Sequence, residues 1–330
     1  MIKFGMIGFG GIARSHKAGH KLLENEGFNS ELVAICDIRP EMFGTDMEIN
    51  LGAANVGNMD GINLYTDIDE MLRKEELDAV DICLPSYLHA DTAIKCLEKG
   101  LHVMSEKPMA LNTADCDRMI AAAEKNGKKL MIGLCLRFEP MYLVLKEIID
   151  SKKYGRVKNV YFERLGGMPT GWEHWYHDPA KSGGIEFDLH IHDLDMARFL
   201  FGEPKWVSSV KNGYDNINTR IGFDGFSVMT VDDWSGSNTF KFKMGYRVAF
   251  EEATVVMEHG VITVFPNSGD SFVLEYEKKN RMAEELRYLC RQIDDGIENT
   301  VNTLESAKQD IYLTEKVRES YENGGKVIEL

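Results

Sequence analysis

Short apolar runs alternate with helical patterns over the first 135 residues of the chain. The runs at 2–7, 32–36, 80–84, 102–105 and 130–132 are nearly continuous in Ile, Val, Leu, Met and Cys, the pattern of strands buried on both faces. Between them, 12–23, 68–73, 89–99 and 114–125 carry apolar residues at the spacing of an amphipathic helix. Gly100 and Gly127 follow two of these helices, where a left-handed residue closes the last turn. Strands alternating with helices predict a parallel, doubly wound α/β sheet. Segment 43–63 breaks the rhythm with Gly44, Gly52, Gly57 and Gly61, and reads as a broken helix followed by a loop.

Beyond residue 137 the periodicity changes. A helix at 141–151 and a strand at 157–164 precede a Gly-, Trp- and His-rich loop that runs to Gly184, and a helix follows to about 201. From 206 to 276 the period is two. Phe240, Phe242, Met244 and Tyr246 then share one face, and Lys241 and Lys243 the other. This predicts a large, open, mainly antiparallel sheet with one covered face. Helices at 282–297 and 304–321 close the chain.

The turn Gly8-Phe9-Gly10-Gly11-Ile12-Ala13 follows the first strand and opens the first helix. Its spacing, G-x-G-x-x-A, gives a tight turn, close backbone approach to a pyrophosphate, and a small residue where helix meets strand. The helix N-terminus then offers free N–H groups to phosphate. Asp37 ends the second strand, 27 residues beyond Gly10. As a ribose ligand it would repel a 2′-phosphate and select NAD; as a cap or turn residue it would select nothing. Arg39 points the other way, since it could neutralise a 2′-phosphate and admit NADP. These features predict a Rossmann dinucleotide-binding domain at 1–136 and an α+β domain for substrate binding and oligomerisation at 137–330.

Charge and cysteine usage narrow the partners. A net charge of −15 disfavours nucleic acid and anionic membranes. No run of about 18 apolar residues is present and the N-terminus lacks a basic leader, so a cytoplasmic location is expected. Six cysteines with no CxxC pair argue against a disulfide framework or structural zinc. Apolar residues on the second face of the later sheet, among Val228, Val231, Val255 and Val261, predict a homodimer or homotetramer through that sheet.

Four blocks resemble the Gfo/Idh/MocA oxidoreductases, the family of glucose–fructose oxidoreductases and inositol dehydrogenases. They are GFGGIA, then DICLPSYLHADTAIKCLEKGLHVMSEKP, then LRF at 136–138, then SGGIEFDLHIHDLDMARFLFGEP, and they run over nearly the whole chain. The resemblance implies an NAD(P)-binding domain with an open-faced sheet domain, often oligomeric. It implies that Glu106-Lys107-Pro108 is the EKP motif, with the lysine reaching substrate, the glutamate near the nicotinamide ribose, and a peptide before proline that is often cis. It matches Asp188 and His192 to the family's Asp-x-x-x-His pair, Leu84, Pro85 and His89 to its cofactor loop, and Arg137 to an arginine near the nicotinamide end. Ser86 replaces a common asparagine and His190 a common glycine.

Read as one regular helix, 185–200 places Asp188, His192, Asp195 and Phe199 in one stripe, beside an apolar stripe of Ile185, Leu189, Met196 and Leu200. A histidine fixed by a carboxylate one turn away suits proton transfer; the same pair could instead be structural. His174, His177, His190 and His192 are types that ligate metal, but the helix turns His190 about 150° from His192, so no metal is expected. Trp172, Trp175 and Tyr176 offer aromatic faces either to a sugar-like ring or to ordinary packing. The expected function is hydride transfer between a nicotinamide cofactor and a secondary alcohol or carbonyl of a sugar, inositol or related polyol. Lys107, Asp188 and His192 would handle the proton. The rival is a cofactor-binding sensor or regulatory protein of the same fold without turnover.

Overall fold

In the computed structural model, which describes residues 1–49, 52–237 and 239–330, the early apolar runs form strands. They are β1 (Ile2–Ile7), β2 (Ser30–Cys36), β3 (Met47–Ile49), β4 (Gly52–Ala54), β5 (Asn63–Tyr65), β6 (Ala79–Ile82), β7 (His102–Glu106) and β8 (Leu130–Gly133). Six of them build one sheet in the order β5-β2-β1-β6-β7-β8, every pair parallel. This is the doubly wound Rossmann order, which reverses beside β1 and opens a crevice at the carboxyl ends of the strands. Helices α1 (Gly11–Asn25), α2 (Ile68–Lys74), α3 (His89–Glu98) and α4 (Thr113–Asn126) make the connections. Asp67 and Asn112 cap α2 and α4 by accepting the N–H groups of Glu70 and Asp115. Gly127 ends α4 in the left-handed conformation, φ 61°.

Segment 43–63 departs from its expected broken helix. The described part holds a short 3₁₀ turn, Pro40–Phe43, and an antiparallel pair of β3 with β4, while residues 50 and 51 lie outside the described residues. Arg14 and Lys17 of α1 hold this segment by donating to carbonyl oxygens of Met42, Thr45, Val56 and Asn58. Its strands are three residues long, too short to show a period.

The later region contains α5 (Pro140–Asp150), β9 (Val157–Leu165), α6 (Pro179–Ser182), a π-helical turn at Glu186–His190, and α7 (Ile191–Phe201). Next come β10 (Trp206–Asn212), β11 (Asn216–Gly222), β12 (Ser227–Asp233), β13 (Lys243–Phe250), β14 (Ala253–Glu258), β15 (Val261–Pro266) and β16 (Phe272–Leu274). The chain ends with α8 (Arg281–Asp294), α9 (Leu304–Glu322) and β17 (Ile328–Glu329). Nine strands form one sheet, β16-β15-β14-β13-β9-β12-β11-β10-β17, antiparallel except where β12 meets β9. Its covered face buries Val160, Phe162, Tyr246, Val248 and Met257. Val228 and Val255 are also fully buried there, so of the four candidate valines Val231 and Val261 are the ones on the second face. That open face is mixed: it pairs Lys243 with Glu163 at 2.5 Å and exposes Met229, Val261 and Val273. Phe240 and Phe242 precede β13 and are not in a strand, because Ser237 and Phe240 close a turn by a backbone bond of 2.8 Å.

Two compact units emerge: Met1–Cys135 with Asn280–Lys308, and Leu136–Lys279 with Gln309–Leu330. A single cut at residue 136 therefore does not describe them, since Asn280–Lys308 folds with the first. The cause is the apolar stripe of α8, whose Ala283 and Leu286 pack with Leu23 of α1. Gly19 permits the approach, since a Cβ there would lie 3.1 Å from the Ala283 nitrogen. Among the described residues no helix is long and apolar enough to cross a membrane.

Candidate active site

In the first unit, β1 runs into the glycine turn. Gly8 has φ +90°, and a Cβ there would come 2.5 Å from the Cys83 carbonyl oxygen, so glycine alone fits. Gly10 precedes α1 and a Cβ on it would meet nothing within 4 Å. Gly10 has no side chain to cap this helix, no side-chain cap is found among the described residues, and its first turn, from Gly11 through Ile12 and Ala13, has no acidic residue. The free N–H groups and the helix dipole are left for an anion, which fits the pyrophosphate of a dinucleotide. Ala13 is fully buried, as helix–strand packing requires, and so is Phe9, so the Phe9 ring packs in the core and only its backbone lines the turn.

Asp37 stands at the end of β2. Its Oδ2 accepts the Phe9 N–H at 2.8 Å, and its two oxygens take the Arg39 N–H, Nε and Nη2 at 2.9 Å each. Carboxylate and guanidinium thus form one two-pronged unit beside the glycine turn, half of it inside the protein: Asp37 is 5% exposed.

The end of β7 carries the EKP sequence. The Lys107–Pro108 peptide is cis. Glu106 is buried, with one oxygen on the Lys107 N–H at 3.0 Å and the other 2.8 Å from His16 Nε2 of α1. His89 is buried too. Its Nδ1 lies 2.8 Å from the Pro108 carbonyl oxygen and its Nε2 2.7 Å from that of Leu84. It joins the Leu84–Pro85 turn to the cis-proline turn, and burial pushes its imidazole below the ordinary value in spite of the two carbonyls. Lys107 itself is half-buried.

In the second unit, Asp188 and His192 are both half-buried and one turn apart, while Ile185, Leu189, Met196 and Leu200 are buried. The single regular helix expected here is not formed. The π-helical turn inserts extra length per turn and shifts the phase of everything after it. Asp195 consequently leaves the accessible stripe: it is buried and accepts Arg137 Nε at 2.8 Å and Nη2 at 2.5 Å. Arg137, also buried, thus sits in an ion network with Asp195, Asp310 and Arg198. His190 is fully buried with Nδ1 2.6 Å from Asp232 and Nε2 2.8 Å from Thr219 Oγ1. Asp193 binds Arg164 at 2.9 Å. Burial pushes the Asp193 and Asp232 carboxyls up to about 7 and the His190 imidazole down to about 4. Trp172, Trp175 and Tyr176 lie on a 3₁₀ segment, half-buried, with Trp175 stacked on Tyr176 at 3.9 Å and Tyr176 edge-on to Trp234.

Sequence reasoning missed His16, Asp81 and Glu285, all fully buried in the first unit. The signals were available: a charged residue inside the apolar run AVDIC, and polar residues on the sheet-facing side of α1 and α8.

Comparison with known proteins agrees with this geometry. Residues 2–134 match the model described as oxidoreductase family, NAD-binding Rossmann fold, and residues 142–263 match the GFO/IDH/MocA C-terminal domain. The chain belongs to the Gfo/Idh/MocA family, and its N-terminal part is that family's NAD-binding fold. Among relatives, the myo-inositol 2-dehydrogenase of Thermotoga maritima is 31% identical over 202 residues, 61% of this chain and 55% of that protein. A 2,7-anhydro-N-acetylneuraminate hydratase of Mediterraneibacter gnavus is 34% identical over 146 residues, 42% of this chain and 37% of that protein. The matched region thus spans about half the length of these curated relatives or less. An aldose-aldose oxidoreductase of Caulobacter crescentus, solved with glycerol, superposes over 100% of this chain and 99% of its own with TM-score 0.84 and 25% identity.

Proposed function

We propose that this protein is a cytoplasmic, nicotinamide-dependent dehydrogenase or reductase acting at a secondary alcohol or carbonyl of a sugar, inositol or related polyol. The observation that carries the reading is the pairing, at the carboxyl ends of two strands of one Rossmann sheet, of an uncapped glycine turn with the Glu106-Lys107-cis-Pro108 turn. The first suits a dinucleotide and the second carries the half-buried Lys107. The relatives named above act, by name, on inositol, an anhydro-sugar and aldoses, which supports a polyhydroxylated substrate.

In this reading Gly8, Gly10, Gly11, Ile12 and Ala13 hold the pyrophosphate by backbone, and Asp37 with Arg39 meets the adenosine ribose. Leu84, Pro85 and Glu106 shape the nicotinamide end, with His89 tying two of their turns together. Arg137 contributes through the buried ion network it anchors. The bound cofactor supplies the hydride acceptor or donor. Removing a hydroxyl proton as hydride departs requires a base within hydrogen-bond reach. An imidazole is the side chain best matched to proton transfer near neutral pH, and His192 takes that role. Lys107 stabilises the developing alkoxide and Asp188 orients one or both. Trp172, Trp175 and Tyr176 flank the sugar ring. Six free cysteines, all buried, support a reducing compartment, and the apolar residues of the open sheet face support a homodimer or homotetramer. The test is cofactor reduction over a panel of sugars, sugar acids and inositols, with Lys107→Met as control. Tight cofactor binding without hydride transfer to any of them would favour the sensor instead.

A further inference from the structure

Beneath the EKP turn lies a buried cluster that the reaction as described does not use. His16, on α1, is fully buried, with Nδ1 2.9 Å from Asp81 Oδ2 and Nε2 2.8 Å from Glu106 Oε1. A neutral imidazole has one N–H and one lone pair, so it would turn the lone pair on a carboxylate at one of these contacts. Unlike His89, which lies between two neutral carbonyls, His16 lies between two carboxylates, whose negative charge as well as their lone pairs favours a proton on both nitrogens. The groups facing His16 are Asp81 and Cys83 at the end of β6, Glu106 of β7, His20 of α1 and Glu285 of α8. His20 Nε2 lies 3.2 Å from the same Asp81 oxygen, and the Cys83 thiol 3.7 Å from the other. Glu285 is fully buried, and neither carboxyl oxygen has a hydrogen-bond partner among the described residues.

The energetics follow from this arrangement. Burial works against a charged His16, but the Asp81 carboxylate outweighs it and holds His16 well above its ordinary value. Burial likewise works against ionised Glu106, and the hydrogen bond and charge of His16 hold it below the usual carboxylate range. Burial, then repulsion from Glu106, pushes Glu285 far up, so it stays neutral. One imidazolium therefore keeps two buried carboxylates ionised, and one of these, Glu106, accepts the main-chain N–H of Lys107 at 3.0 Å. His16 also lies on the helix that the glycine turn opens.

We propose that His16 is a positioning residue: a permanent imidazolium on the phosphate-binding helix that keeps Glu106 ionised and so fixes the Glu106–Lys107 turn for the reaction. The inference rests on the functional reading above, and its tests separate the two. Nitrogen NMR of the full-length protein should show both ring nitrogens of His16 protonated at pH 8, with no titration near 6.5. This needs no substrate, and a His16 that is neutral at pH 7 overturns the proposal. His16→Gln keeps one donor but removes the charge. It should lower kcat about tenfold to a hundredfold, as small displacements of a reacting group do, with thermal unfolding monitored alongside. It should also steepen the acid limb of kcat/KM, which His192 alone sets in the native protein, as buried Glu106, stripped of its counter-charge, becomes a second titrating group. A purely structural role would lower Tm and leave that limb unmoved, and superposable pH profiles would overturn the proposal. His16, Asp81 and Cys83 are also residue types that could hold a cation, their ligand atoms lying within 4.8 Å of one another. One equivalent of tightly held zinc in the purified protein would mean a deprotonated His16 and would likewise overturn it. If Lys107→Met retains full turnover, the functional reading fails while the NMR result stands.

Discussion

Replacing Asp37 with serine should turn the cofactor preference from NAD toward NADP. In the structure one carboxylate takes four donors: the Phe9 N–H at 2.8 Å, and the N–H, Nε and Nη2 of Arg39 at 2.9 Å. A 2′-phosphate near this unit would be repelled by Asp37 and attracted by Arg39. At roughly 5 Å and an effective dielectric of about 20, each unit-charge pair is worth about 3 kcal/mol. In the native pair these opposing interactions largely cancel, so the NAD preference should be modest, about tenfold or about 1.4 kcal/mol. Asp37→Ser leaves the Arg39 charge uncompensated, and about 3 kcal/mol of attraction corresponds to a swing of about 10²-fold toward NADP. The variant also orphans the Phe9 N–H, a cost of about 1–3 kcal/mol in stability. The assay is fluorescence titration of NADH and NADPH against both proteins at low and moderate salt, since salt should shrink the difference. An unchanged NADPH-to-NADH ratio in the variant, or a native protein that prefers NADPH, would refute this reasoning.

Four further outcomes are expected. His192→Ala should cost roughly 10²–10⁴ in turnover while the cofactor still binds; near-normal turnover there, with Lys107→Ala inactive, would make Lys107 the base. Asp193 and Asp232 sit at about 7 in the folded protein, well above their unfolded values. The folded state therefore holds protons that the unfolded state has released, and the stability these groups contribute falls as pH rises from about 4 to about 7. Asp232→Asn should shrink the loss of Tm between about pH 5 and about pH 8, and a steeper loss would contradict the assignment. Gly8→Ala, which would drive a Cβ to 2.5 Å from the Cys83 carbonyl, should abolish cofactor binding or folding, as titration and circular dichroism would show. Light scattering at micromolar concentration should give a multiple of 37.4 kDa; a single-chain mass would end the proposal that the open sheet face self-associates.

The sequence makes some parts of this molecule legible and hides others for physical reasons. Parallel strands buried on both faces read as unbroken apolar runs, so five of the six in the Rossmann sheet stand out. The missing one, β5, has three residues at the sheet edge, with Leu64 44% exposed, and carries no such run. The glycine turn is legible because a positive φ and a carbonyl at 2.5 Å leave one residue type for Gly8. The stripe through Asp195 fails because helical phase assumes a constant turn, and nothing in Glu186–His190 announces a π-helical one. The His16–Asp81–Glu106 cluster joins residues 65 and 90 positions apart, and only the sheet brings them together. The return of Asn280–Lys308 to the first unit is equally non-local.

The most direct measurement is the initial rate of NADH formation when the purified protein meets NAD and, in turn, a panel of aldoses, sugar acids and inositols. The same rates are then taken for Lys107→Met. At least one polyol should be oxidised, and the rate should collapse in the variant. Tight NAD binding with no NADH formed from any polyol, or oxidation indifferent to Lys107, would contradict the proposed function.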